Sequence, residues 1–361
     1  MQKIPISVLG GTGVVGQNYV NLLKNHPWFE IVDFGASPKS AGKKYAEAVK
    51  DKWVQPSPIP EAVKDIIVRN AEDYEHIPKV AFAFSAMELA SKEDTAKIEW
   101  EYAKRGIPIV SNSSANRWKE DVPMLIPKIN HEHINIIPIQ QKLRNIPGFV
   151  AVKPNCSLQS YMTPLYALMK AGYEIDQLII TTLQAISGAG YPGVPSLDIL
   201  DNIVPLIKGE EEKSEKEPLK ILGSLTEKGI ANNNSIKISA TCTRVPVNDG
   251  HTAVVNVKFK GKVPSKEEIL KIWQEFKSLP QELKLPMAPD QPIIYSPLDN
   301  RPQPKKDRNN DKGMAVTVGR LRPDTVFDWK FVALSHNTVR GAAGGGILNA
   351  ELLYAKKFIK F

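Results

Sequence analysis

Cysteine is scarce. The 361 residues hold only two, Cys156 and Cys242, which excludes a disulfide-stapled scaffold and suits a reducing cytoplasm. Histidine is nearly as sparse, at six residues. Only His131 and His133 stand close together and neither cysteine has a ligand spacing, so no metal site is expected. No stretch approaches the roughly 20 apolar residues that cross a bilayer, and Met1 to Val8 runs into a strand without a leader pattern, so no membrane partner is expected. Lysine and arginine outnumber the acidic residues 47 to 39, a net charge of +8. The basic residues are dispersed, however, and often have acidic neighbours, as where Glu210, Glu211 and Glu212 precede Lys213. Nucleic-acid binding would need a clustered basic stripe. The excess therefore reads as solubility charge with local positive sites for phosphates.

The length favours two domains. Gln2 to Leu9 reads as a buried strand, followed by Gly10-Gly11-Thr12-Gly13-Val14-Val15-Gly16 and an amphipathic helix through Tyr19, Val20, Leu22 and Leu23. A glycine turn between strand and helix lets backbone N–H groups approach a pyrophosphate at the helix N-terminus, which points to Gly10, Thr12, Gly13, Val14 and Val15. The next strand, Phe29 to Gly35, contains Asp33 at the spacing of a ribose-binding acid, but inside the strand rather than at its end. Ser37, Ser40, Lys43 and Lys44 follow it. Hydroxyls and lysines suit a 2′-phosphate, so NADP is expected over NAD. Strands at Ile66 to Val68, Val80 to Ser85 and Ile107 to Ser111 alternate with helical stretches. This predicts a doubly wound parallel sheet with ligands at the carboxyl ends of its strands, near Ser85 and Arg117.

An apolar run, Phe149 to Val152, leads into Pro154-Asn155-Cys156-Ser157-Leu158-Gln159. A helical pattern leaves this stretch through Leu158, Met162, Leu165 and Met169, although Pro164 either kinks that helix or delays its start. A cysteine at a helix N-terminus has its thiolate favoured by the peptide dipole; a buried cysteine is equally a small apolar filler. Beyond it come a strand at Leu178 to Ala185 and a turn-rich loop from Ser187 and Gly188. A charged stretch, Lys208 to Glu217, precedes a helix-like Leu219 to Glu227. Strands follow at Ser235 to Arg244, Thr252 to Lys260, Met314 to Leu321 and Phe327 to Ser335, with a helix at Lys266 to Phe276 and an exposed loop at Pro302 to Asp311. This half is expected to be α+β, with a mainly antiparallel sheet. Arg244 and His251 flank a turn at Asp249-Gly250, as if closing a connection between neighbouring strands. The final glycines, Gly341 to Gly346, open a helix carrying Ile347, Leu348, Leu352, Leu353 and Phe358.

The motifs GGTGVVG, SNSSANR, PNCSLQ, LQAISGAGYPGVPSLDILDN, GEEEK, RVPVNDGHT and HNTVRGAAGGG span nearly the whole chain. Together they resemble the aspartate-β-semialdehyde dehydrogenase family, in its archaeal and fungal branch. The resemblance implies Cys156 as nucleophile, His251 as general acid/base and Gln184 as the amide that orients the thiol. It implies Arg244 on the substrate carboxylate, Glu210 or Glu211 on its amino group, and Arg117 with Lys213 on phosphate. Asn337 would meet the nicotinamide amide, and Ser85, Ser187 and Gly188 would line the NADP site. An NADP-binding domain at 1–153, completed by a C-terminal helix at 338–361, would pair with a catalytic and oligomerisation domain at 154–337. Dimers or tetramers in the cytoplasm are expected. One departure is Ser157-Leu158-Gln159 after the nucleophile, where many members carry more threonine. Malonyl-CoA reductase shares SGAGYPG and the terminal glycines, and a non-catalytic NADP-binding regulator is the alternative outside enzymes.

Overall fold

Short apolar strands separated by helices give the first half a six-stranded sheet, seen in a computed structural model that describes residues 3–361. Its strands are β1 (Ile4–Leu9), β2 (Phe29–Ala36), β3 (Val68–Asn70), β4 (Phe82–Ser85), β5 (Ile109–Ser111) and β6 (Val150–Val152). All neighbours are parallel, in the order β3-β2-β1-β4-β5-β6. The order reverses beside β1, which opens a crevice at the carboxyl ends of the strands. Gly10 ends β1 with φ of 75°; a Cβ there would lie 2.7 Å from the Ala86 carbonyl carbon, so only glycine lets the two turns meet.

The second half builds a mixed sheet from β7 (Ile175–Gln184), β10 (Lys237–Arg244), β11 (His251–Phe259), β12 (Ile293–Ser296), β13 (Val316–Pro323) and β14 (Trp329–Ser335). The pairs Ser224–Leu225 and Ile230–Ala231 (β8 and β9) form a separate small ladder. The order is β10-β7-β11-β14-β13-β12; the three central pairings are antiparallel and the two edge pairings parallel. This corrects one expectation: β10 and β11 are not neighbours. β7 lies between them, and the segment Val245 to Gly250 crosses its end.

Two further readings are corrected, and one open alternative, the delayed helix start at Pro164, is decided. The helix falls at Glu210–Ile221, over the charged tract, rather than at Leu219 to Glu227. Three glutamates in its first turn meet the positive end of the peptide dipole, and Lys220 meets the negative end. The regular helix after Cys156 starts late, at Met162–Lys170, behind a single turn Ser157–Ser160. Pro164 sits in its first turn, where a missing N–H costs nothing. Finally, Pro302 to Asp311 is no open loop. It holds a short helix, Pro304–Asp307, and the buried Asp307 accepts from Arg301 Nε at 2.6 Å and Gln303 N–H at 2.6 Å.

The last helix, Gly344–Ala355, returns to the first sheet. Ile347, Leu348, Leu352 and Leu353 share one buried cluster with Val8, Tyr19, Phe29 and Phe84. Gly346 has no Cβ because the Tyr19 hydroxyl occupies that space. The buried Glu351 accepts from His26 at 2.8 Å and from Met287 N–H at 3.0 Å. Burial raises its carboxyl to about 8 and lowers His26 to about 4.

Candidate active site

Sheet register brings the second half's polar residues to one edge. Arg244 ends β10 opposite Gln184, which ends β7. β11 begins at His251, opposite Ser335 of β14, with Thr252 opposite Leu183. That edge faces the turn that follows β6, so the two sheets deliver Cys156 and His251 to one point. Cys156 Sγ lies 3.3 Å from His251 Nε2.

Side chains fasten the turn that presents Cys156. Asn155 Oδ1 accepts from Ser157 N–H at 2.8 Å and Ser157 Oγ at 2.7 Å. Asn155 N–H donates to Glu217 at 2.6 Å, and its Nδ2 donates to both Glu210 oxygens at 2.9 and 3.0 Å. Gly341 closes the other side: a Cβ there would lie 2.9 Å from that of Cys156. The expected lowering of the thiol by a helix dipole is corrected. Only one short turn follows Cys156, and burial pushes its thiol up. The Glu210 carboxylate adds to this, while Lys153, Arg117 and Lys213 oppose it.

His251 is fully buried, and its Nδ1 accepts the Ala185 N–H at 3.0 Å. Burial, then the neighbouring Arg244, lowers it to about 3, so the ring is neutral at ordinary pH. Arg244 donates Nη1 to the Ala185 carbonyl at 2.7 Å. Gly188 packs against both; a Cβ there would come within 2.8 Å of Arg244 Nη1 and 3.1 Å of His251 Cε1.

Glu210 faces the cavity, whereas Glu211 turns away and accepts the Cys242 N–H at 3.2 Å. Burial raises the Glu210 carboxyl, but Lys213 at 2.8 Å, Gln184 and Asn155 prevail and hold it below its usual range. The amide of Gln184 does not reach the thiol as expected; it donates to Glu210 at 3.1 Å and Thr182 at 3.3 Å. Arg117 and Lys213 both line the cavity, each already beside a carboxylate, Arg117 pairing with Glu217 at 2.9 Å. Asn337 lines the same cavity, where its Oδ1 accepts the Gly250 N–H at 2.8 Å and its Nδ2 donates to Ser187 Oγ at 2.9 Å.

One cavity of about 540 Å³ joins Val14, Val15 and the segment from Ala86 to Lys92 to Cys156, Gln184, Ser187, Gly188 and Arg244. Its first-half end fits a dinucleotide. The helix Val14–Leu23 begins at Gly13 with no side-chain cap and no acidic residue in its first turn, leaving its N–H groups for an anion. Asp33 is removed from that end, buried between Ser7 Oγ and Arg69. Ser37, Lys39 and Lys43 are exposed beyond β2, while Lys44 pairs with Asp65. Ser40 and Ser85 are buried, the latter at the end of β4, with Ala86 beside it at the cavity wall.

The sequence reading missed Asn155, Glu217 and the Ala185 backbone. Asn155 had a signal, since an asparagine two residues before a serine forms an Asx turn. Glu217 had none, being one more charge in a charged tract.

The semialdehyde dehydrogenase NAD binding domain matches residues 5–137, and the semialdehyde dehydrogenase dimerisation domain matches residues 165–340. The chain is 43% identical to an aspartate-semialdehyde dehydrogenase of Methanothermobacter thermautotrophicus, covering 97% of this chain and 99% of that one. It is 44% identical to that of Saccharomyces cerevisiae, covering 98% of each. A crystal structure of the Candida albicans enzyme with NADP superposes with a TM-score of 0.90 at 39% identity, covering 99% of this chain and 100% of that one.

Proposed function

The chain belongs to the aspartate-semialdehyde dehydrogenase family, and from that premise we propose that it reduces β-aspartyl phosphate to aspartate semialdehyde through a thioester on Cys156, with NADPH as reductant. This reaction would serve the biosynthesis of lysine, threonine and methionine in the cytoplasm, where free thiols persist. The observation that carries the reading is the 3.3 Å approach of His251 Nε2 to Cys156 Sγ at the floor of a cavity rimmed by Arg244, Glu210, Lys213 and Arg117. The sulfur attacks the acyl carbon and phosphate leaves toward Arg117 and Lys213. Covalent capture matters because a thioester carbonyl accepts hydride more readily than a carboxylate. Bound NADPH supplies that hydride. The carbonyl then re-forms and sulfur departs beside His251.

Arg244 offers a planar fork for the substrate carboxylate, and Glu210 an anion for its amino group. These opposite charges favour a compact amino acid over malonyl-CoA, which has no amine to meet Glu210. A parallel assay with aspartate semialdehyde, phosphate and NADP, and with malonyl-CoA and NADPH, tests the reading. Activity is expected only in the first; turnover only in the second overturns the substrate. Oligomerisation is proposed through the segment from Tyr191 to Leu206, where Leu197, Leu200, Ile203 and Leu206 are exposed. Several large apolar side chains exposed within one short segment suit a protein contact.

A further inference from the structure

We propose that Lys153 is a third cation of the cavity's phosphate end, standing behind Arg117 and Lys213, and that it becomes charged when an anionic substrate arrives. The inference rests on the reading of Arg117 and Lys213 as the phosphate pair. It adds a positioning residue that lies just upstream of the PNCSLQ motif.

Lys153 follows β6, and its backbone N–H donates to Ser111 O, at the end of β5, at 2.8 Å. The side chain is buried, yet it lines the catalytic cavity beside Arg117, Cys156 and Lys213. Its ammonium donates to the Pro154 carbonyl at 2.6 Å. Among the described residues it forms no ion pair, and the carboxylates of the site are engaged elsewhere. Glu217 holds Arg117 at 2.9 Å and the Asn155 N–H at 2.6 Å. Glu210 holds Lys213 at 2.8 Å and Asn155 Nδ2 at 2.9 Å. The last helix leaves room for the lysine stem: a Cβ on Gly345 would lie 3.0 Å from Lys153 Cδ.

A buried ammonium without an anion is costly, so burial favours the neutral amine in the unliganded enzyme. The charged groups around it do not reverse this. Arg117, beyond β5, and Arg340, before the last helix, oppose a further positive charge. The Cys156 sulfur and Glu217 favour one. Lys128 and Arg340 line a small cavity that Lys153 also borders, and neither brings an anion. Burial first, then Arg117, brings Lys153 down to about 7, close to its midpoint at neutral pH. A dianion seated by Arg117 and Lys213 supplies the missing counter-charge, and the amine takes a proton from solvent. Lys153 therefore adds to anion affinity at low pH, and its help is lost as pH rises through the midpoint of the liganded form.

Sulfate is the probe, because it stays a dianion through the neutral range and brings no proton of its own. Enzyme saturated with NADP, so that the nucleotide's own phosphate sites are filled, is titrated at about pH 7.5 by calorimetry in buffers of different ionisation enthalpy. For a tenfold preference of sulfate for charged Lys153, about half a proton is taken up per anion bound. Affinity should then fall about tenfold between about pH 6 and about pH 9. Lys153→Met keeps the stem and removes the amine. It should take up no proton and bind sulfate at every pH as weakly as wild type does at high pH, with unchanged circular dichroism and NADP affinity. Binding to wild type without proton uptake overturns the proposal. So does uptake that persists in Lys153→Met, which would move the proton to Lys220, seated on the Arg117 and Lys119 carbonyls. Should Lys153→Met fail to fold, the proton count of the wild type decides alone. Lys213→Met should weaken sulfate at least about tenfold. No sulfate binding, or an affinity unaltered in Lys213→Met, would remove the phosphate pair and Lys153 with it. None of these readouts needs turnover, so failure of the semialdehyde assay with proton uptake intact would sink the proposed reaction and leave Lys153 standing.

Discussion

Cys156 sits in a turn fastened by Asn155, Glu217 and Glu210 and opens onto the cavity, whereas Cys242 sits mid-strand in β10, sealed beside Thr182 of β7. Its N–H is held by Glu211, and its sulfur lies 3.6 Å from Ser214 Oγ. Burial pushes both thiols up, so resting acidity does not separate them. The separation lies in what each sulfur can reach. Cys156 has a histidine nitrogen at 3.3 Å and three cations acting on it. Cys242 has a hydroxyl and the sheet.

The sharpest break of this comparison is to exchange each sulfur for oxygen. Cys156→Ser should lower kcat by at least about 10³-fold, since removing a nucleophile leaves only binding and orientation. Nucleotide affinity, measured by fluorescence titration, should hold. Cys242→Ser should stay within about twofold in kcat, and a comparable loss there would mean the roles are reversed. Next in size is Glu217→Gln, which strips the charge partner from buried Arg117 and weakens the Asn155 anchor. Breaking such a pair costs about 3–5 kcal/mol, readable as a lowered denaturation midpoint together with lost activity. An unchanged midpoint would show that the Cys156 turn stands without its side-chain fastenings, as the Cys242 strand does.

Gly341→Ala should act more locally. The added Cβ presses on Cys156, so kcat should fall about 10- to 100-fold, in keeping with an ångström-scale misplacement of a reacting group, with little change in the thermal midpoint. A pH measurement then probes the electrostatics. The Glu210 carboxylate raises the Cys156 thiol, so Glu210→Gln should lower it, and the thiolate fraction at any pH below the midpoint should rise. Iodoacetamide should react at least about threefold faster near neutral pH, even as substrate turnover is lost; slower alkylation would mean that the orphaned Lys213 or Asn155 has moved the sulfur. Smallest of all, Ser214→Ala beside Cys242 should cost no more than about 1 kcal/mol of stability and leave alkylation of Cys156 unaltered.

Much of this arrangement was legible in the chain. The glycine turn after β1 announced the nucleotide half, because a strand, a glycine-rich turn and an amphipathic helix are all local signals. Cys156, Arg244 and Glu210 line one cavity, and His251 is buried behind Cys156 at 3.3 Å. The helix Glu210–Ile221 was not legible, and its burial explains why. The side it turns inward carries Glu210, Ser214 and Glu217, so the periodicity that betrays a helix is written there in polar residues. Apolar spacing cannot find it, and its acidic first turn reads as a solvated run. The separation of β10 from β11 was hidden for a different reason. Strand order is a long-range choice, and a turn between two strands looks the same whether they pair or straddle a third. Gln184 and Asn337 both line the cavity, and their amides also bond protein partners, which no motif reveals.

The return of helix Gly344–Ala355 to the first sheet carries a consequence for the order in which the molecule can be made. Tyr19, Phe29 and Phe84 are synthesised early, yet the surface that covers them, Ile347 to Leu353, belongs to the end of the chain. While translation proceeds, the nucleotide-binding half stands on the ribosome with one apolar face open, and Glu351 is not yet there to meet His26. The second half must therefore emerge before the first can be sealed, so the first half's core is completed last although its strands are made first.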